Sequence, residues 1–102
     1  MNKNLKKLIE YPKTGIFSKE IFKSEVINCT LFCLASGAEI SEHTSTKLGF
    51  VYIIEGKGIF KLAGRNIAME SGILIYMKEN MIHSLKVKRN TSFLLILIAG
   101  GN

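Results

Sequence analysis

The chain has no aspartate, one proline (Pro12), two cysteines (Cys29, Cys33) and two histidines (His43, His83) in 102 residues. Each scarcity excludes something. All eight acids are glutamates, so any carboxylate chemistry must come from that longer side chain. Cys29 and Cys33 do not form a Cys-x-x-Cys pair. In an extended segment they share a face, and at roughly 3.3 Å per residue they lie about 13 Å apart. That is beyond the roughly 7 Å Cα separation a disulfide tolerates, so reduced thiols are expected. No apolar run approaches the roughly 20 residues a membrane helix needs; the longest, Phe93 to Ala99, reads as a buried strand. The basic start (Lys3, Lys6, Lys7) is followed by no apolar stretch of the kind a secretory signal carries, and the cytoplasm is the expected compartment.

What is present is a single domain's worth of chain, 47% hydrophobic, with a net charge of +6. The lysines are spread along the chain rather than clustered and are not interleaved with aromatics, which argues against a nucleic-acid surface. The excess positive charge favours a small anionic ligand instead.

Leu5, Leu8 and Ile9 fit one side of a short helix, and residues 1–15 read either as that or as an extended arm. From Ile16 on, short β-rich segments are punctuated by turn residues. They run Ile16 to Phe22, Val26 to Ala35, Ile40 to Thr46, Phe50 to Ile54, Ile59 to Ala63, Ile67 to Met69, Ile73 to Met77, Ile82 to Val87 and Ser92 to Ile98. A tight turn is expected around Gly64-Arg65-Asn66. So many short strands with such regular turns predict an all-β sandwich or barrel spanning residues 16–98, with a loose tail at 99–102.

Two glycine-led stretches each contain one of the histidines. The first places Gly37, His43, Ser45, Gly49 and Gly56 in sequence; the second places Gly72, Lys78, Asn80, His83 and Val87. Their spacing resembles the two motifs of the cupin superfamily, the RmlC-like conserved barrels, and the likeness covers residues from about 16 to 98. The resemblance implies a double-stranded β-helix, or jelly-roll barrel. It implies that His43 and His83 stand at positions that hold a divalent metal (Fe, Mn, Ni or Zn) in the family. Ser45 and Gly49 replace the other histidine and the glutamate of that set, and Lys78 and Asn80 replace the proline and glycine of the second motif. A third ligand would have to come from Glu79, Cys29, Cys33 or Met81.

His43 and Ser45, two apart in the expected strand, would share a face. Val51, Ile53, Tyr76, Met77 and Leu85 would line a pocket around His43, Ser45 and His83. Three functions follow: a small-molecule binding or sensing module, a dioxygenase- or isomerase-like metal enzyme with an incomplete two-histidine site, and metal-free acid–base catalysis by the histidine pair. Phe50, Tyr52 and Ile54 would point outward as an apolar stripe. Small cupins form dimers, so the resemblance implies a homodimer, with this stripe or the N-terminal arm in the interface.

Overall fold

The computed structural model describes residues 1–100. One short helix, α1 (Leu5–Leu8), precedes nine strands: β1 (Ile16–Lys23), β2 (Ile27–Leu34), β3 (Glu39–His43), β4 (Leu48–Glu55), β5 (Gly58–Leu62), β6 (Arg65–Met69), β7 (Leu74–Met77), β8 (His83–Val87) and β9 (Thr91–Ile98). Strands β1-β2-β9-β4-β7 form one sheet and β3-β8-β5-β6 the other, with every pairing antiparallel. The chain passes repeatedly from one sheet to the other, so their inner faces close on a shared core, as the jelly-roll expectation requires.

Alternation explains which residues meet there. In β4, Val51 and Ile53 are buried, whereas Phe50, Tyr52 and Ile54 face outward. In β5 and β8 the inward set is Phe60 and Leu62 against Leu85 and Val87. Met69, Ile75, Met77, Leu34 and Phe93 complete the core. Burying a side chain of this size contributes about 1.5–3 kcal/mol, which is why the period-two pattern fixes the strand register so firmly.

The β5–β6 turn falls one residue earlier than expected. Ala63 and Gly64 both have positive φ (48° and 83°), the geometry of a two-residue hairpin whose twist matches its strands. Arg65 and Asn66 therefore already belong to β6. At the far end of the barrel the backbone itself is tightly packed. A Cβ on Gly58 would sit 2.5 Å from the Lys86 carbonyl oxygen and 2.8 Å from the Val87 Cα. One on Gly56, where φ is +123°, would collide with Thr91.

The N-terminal arm crosses the outer face of the five-stranded sheet. Asn4 caps α1 by accepting a bond from the Lys6 N–H (3.1 Å). Lys19 Nζ donates to the Leu8 carbonyl (2.8 Å) and reaches Glu10 (3.0 Å), while the Tyr11 hydroxyl donates to Glu55 (2.7 Å). Leu31 and Cys33 share strand rows with the outward-facing Leu94 and Ser92, yet are wholly buried, because the arm lies over them. Burial pushes the Tyr11 phenol up to about 12, and the Glu55 carboxylate adds to the rise. At the other terminus the Ala99 N–H donates to the Val26 carbonyl (2.8 Å), which ties the start of the expected tail to the sheet; Gly101 and Asn102 lie outside the described residues.

Candidate ligand site

The two histidines meet. His43 ends β3, His83 begins β8, and the two are direct cross-strand partners. Their ring centroids lie 4.0 Å apart in an edge-on arrangement at 64°.

A bulge produces this meeting. Ile40 pairs with Leu85 and His43 with His83, so β3 spends three residues where β8 spends two. Leu85 and His83 both point into the barrel; the extra residue lets Ile40 and His43 do the same. Regular alternation from Ile40 would have turned Glu42 inward and His43 out. Nothing in the side-chain pattern signals the bulge.

Each imidazole is oriented by its own strand. His43 Nδ1 lies 2.8 Å from the Ser41 carbonyl oxygen and His83 Nδ1 lies 2.9 Å from that of Met81. A carbonyl only accepts, so both Nδ1 atoms carry a proton, and in a neutral ring this makes Nε2 the acceptor. His83 is buried and stacks parallel to Phe60 (6.1 Å, 4°), whereas His43 is exposed at the barrel mouth. Burial lowers the His83 pKa; the Met81 hydrogen bond opposes that shift, and the neighbouring His43 adds to it.

The loops carrying the two motifs are clasped together. The Asn80 N–H donates to the Ser45 carbonyl (2.7 Å). Asn80 sits at φ 65°, the left-handed region that glycine occupies at low cost and that asparagine tolerates better than most residues. The replacement of the motif glycine by asparagine is therefore compatible with the same turn. Ser45 lies beyond the end of β3 rather than within the strand expected to reach Thr46, and its hydroxyl accepts from the Lys47 N–H (3.1 Å). It does not share a strand face with His43.

The remaining expected residues separate. Met77 faces inward at the histidine end, in the same strand row as Gly49, Leu97 and Asn28. Val51 and Leu85 lie one row deeper and Ile53 deeper still, all within the filled core rather than around an open pocket. Tyr76 alternates with Ile75 and Met77 and so points outward, where it packs on Phe50 (5.2 Å between rings); it is not part of the site. Two inward polar residues on β2 escaped the sequence reading: Asn28, which accepts a bond from the Thr30 hydroxyl (2.9 Å), and Thr30 itself. Their signal is available only once β2 is aligned with β9.

The residues do not fit a tightly held metal. Among the described residues no group of three or more His, Cys or Glu side chains is placed to hold one. Glu79 is exposed, and both cysteines face the outer side of their sheet. Where the family motif has a glutamate, a Cβ on Gly49 would meet Leu97 Cδ2 at 3.0 Å and Met77 Cε at 3.2 Å. The space of the missing ligand is filled by apolar side chains. Two imidazole nitrogens remain, short of the three protein ligands of an open catalytic zinc site or a non-haem iron triad.

Two clefts lie elsewhere. One, of about 320 Å³, is on the outer face of the four-stranded sheet between Glu39, Ser41, Lys61, Asn66, Ser84 and Lys86. The other, of about 570 Å³, runs between α1 and Tyr52, Ile54 and Ser71. Neither cleft is lined by His43 or His83.

Comparison with known proteins gives the class. The family model of the AraC-like ligand binding domain matches residues 31–100. The chain belongs to that family and is a small cupin domain. Among solved structures it is similar to a conserved protein of unknown function from Streptococcus pyogenes (TM-score 0.89, 20% identity, covering 100% of this chain and 90% of that one). It is also similar to a cupin superfamily protein from Desulfitobacterium hafniense (0.89, 21%, 94% and 88%). A predicted oxalate decarboxylase from Thermotoga maritima shares the fold as well (0.77, 17%, 83% and 81%). No curated protein matches the sequence. Among the described residues no helix is long and apolar enough to cross a membrane.

Proposed function

We propose that this chain is a small-molecule binding module, cytoplasmic and homodimeric, whose ligand is held at the barrel mouth by His43 and His83. One observation carries the reading: two adjacent imidazoles have their Nδ1–H groups committed to backbone carbonyls, which leaves two neighbouring Nε2 atoms for a ligand. A neutral ligand would donate to them. An anionic one would be drawn in by the +6 net charge. Membership of a ligand-binding family supports binding over catalysis. The alternative, a dioxygenase- or isomerase-like metal-dependent enzyme with an incomplete two-histidine site, asks for ligands that Ser45 and Gly49 do not supply. Acid–base catalysis by the pair lacks a third side chain to orient either ring, since backbone carbonyls do that work here.

Calorimetric titration with dicarboxylates (oxalate, malonate) and sugar phosphates tests this, alongside histidine-selective nitrogen NMR, in which two histidines give a simple spectrum. The account expects at least one compound to bind, to move both Nε2 resonances, and to bind at least tenfold more weakly to His43→Ala and His83→Ala. A ligand that binds both variants as tightly as the parent would place the site elsewhere and overturn the reading.

A further inference from the structure

The N-terminal arm closes over a row of reactive side chains. Phe17, Cys33, Ser92 and Glu55 are neighbours across β1, β2, β9 and β4, on the outer face of the five-stranded sheet. Tyr11 lies over that row, beside Ser92 and Cys33, and its hydroxyl donates to the Glu55 carboxylate (2.7 Å). Cys33 and Ser92 have no exposure at all. The seam between arm and sheet is therefore polar, holding a thiol, a hydroxyl, a phenol and a carboxylate. Among the described residues Ser92 Oγ is the one buried side-chain oxygen or nitrogen without a hydrogen-bond partner, because the Tyr11 hydroxyl is committed to Glu55.

The arm is lightly held. Its helix α1 is a single turn of four residues, none of them buried. Besides the Tyr11–Glu55 bond, its side-chain ties are those of Lys19 to the Leu8 carbonyl and to Glu10, and the Lys19–Glu10 pair lies at the surface. Exposed ties of this kind contribute little. Segments held by them open locally while the rest of a domain stays folded. The unpartnered Ser92 hydroxyl works in the same direction, since water satisfies it once the arm lifts. Gly15, at φ 79°, stands where the arm joins β1, and its carbonyl accepts from the Ala35 N–H (2.9 Å). A lifting arm would pivot there and leave β1 paired.

We propose that Cys33 is a shielded oxidation site: peroxide reaches its thiol when the arm lifts, and the oxidised sulfur keeps the arm from seating again. Neither histidine takes part, so the site is separate from the barrel mouth. The co-reactant is hydrogen peroxide. The Cys33 thiol gives up its proton and its sulfur attacks one peroxide oxygen. The O–O bond breaks, an S–OH bond forms, and the departing hydroxide takes up the thiol's proton as water. Sulfur loses two electrons, peroxide gains them, and the product is a sulfenic acid. Only the thiolate is nucleophilic, so a thiol shut away from water beneath the arm is inert. Once bare, Ser92, the cross-strand neighbour of Cys33, offers a free hydroxyl to the added oxygen. That oxygen has no room under the seated arm, where Cys33 is already fully enclosed. The arm thus separates a resting state with an unreactive thiol from an oxidised state in which Leu31 and Cys33 are uncovered.

The test uses the full chain carrying Cys29→Ser, which leaves one thiol. Under excess hydrogen peroxide with dimedone, which traps sulfenic acid, intact mass spectrometry follows labelling of Cys33. The samples are this folded parent, the same chain unfolded in urea, and the parent with Tyr11→Phe or Lys19→Met added, whose fold circular dichroism verifies. Labelling is expected to be at least about tenfold slower in the folded parent than in the unfolded chain. It is expected to be about fivefold faster in Tyr11→Phe than in the parent, and faster in Lys19→Met as well. After peroxide treatment without dimedone, hydrogen exchange is expected to show residues 4–9 losing protection. A folded parent that labels as fast as the unfolded chain overturns the inference, because the arm then shields nothing. So does equal labelling of the parent and both variants, which would mean that the thiol is reached only by global unfolding. An oxidised protein whose residues 4–9 stay protected overturns it too.

Discussion

The two ends of the barrel are built on opposite principles. At the far end, Gly56 and Gly58 let backbone approach backbone, Thr91 bonds the neighbouring turn, and Val87 and Met69 are shut off from water. At the near end the inward row holds His43, His83 and Asn28, and the backbone there serves to orient imidazoles. Tight backbone packing is concentrated at one end and inward polar side chains at the other. The packed rows between them separate the mouth from the base.

The comparison breaks most readily at the base. Met69 is fully buried, and Met69→Ala is expected to cost about 2–5 kcal/mol. Gly58→Ala, which forces a Cβ against the β8 backbone, is expected to cost about 1–3 kcal/mol. At about 4–8 °C per kcal/mol for a domain of this size, both changes move the thermal midpoint visibly. His43→Ala, at an exposed position, should move it by no more than a few degrees while abolishing ligand binding. A His43→Ala protein as unstable as Met69→Ala would mean that the mouth is structural.

A finer effect comes from His83. Burial lowers its pKa below the usual 6.5, so the unfolded chain takes up a proton on this residue before the folded one does. Its contribution is fully present above pH 6.5 and is lost as pH falls through the depressed folded value. Urea midpoints should therefore drop between pH 7.5 and pH 5, and His83→Gln should show a shallower drop than the parent. Identical slopes in the two proteins would mean that the ring is hydrated in the folded state.

Much of the fold was legible. The alternation of Val51 and Ile53 with Phe50, Tyr52 and Ile54 announced both the core side of β4 and its outward stripe. The glycine at position 64 announced a hairpin, although the left-handed Ala63 that shifts the turn by a residue carried no signal. The pairing of His43 with His83 was legible only through motif spacing. The bulge that turns His43 inward depends on the pairing of β3 with β8, which the local pattern of Ile40, Ser41 and Glu42 does not encode. The same holds for Ser45 and Tyr76: one left the strand and the other faced outward, because strand ends and facing are settled by partners distant in the chain. Cys33 and Leu31 are buried on the outer face of their sheet, under an arm whose path no periodicity describes.

The central claim is that the mouth offers two imidazoles to a small molecule and is not built around a resident metal. Elemental mass spectrometry of untagged protein, beside His43→Ala, tests it most directly. The account predicts Fe, Mn, Ni and Zn well below one equivalent and the same in both proteins. Near-stoichiometric metal in the parent that disappears in His43→Ala would contradict it.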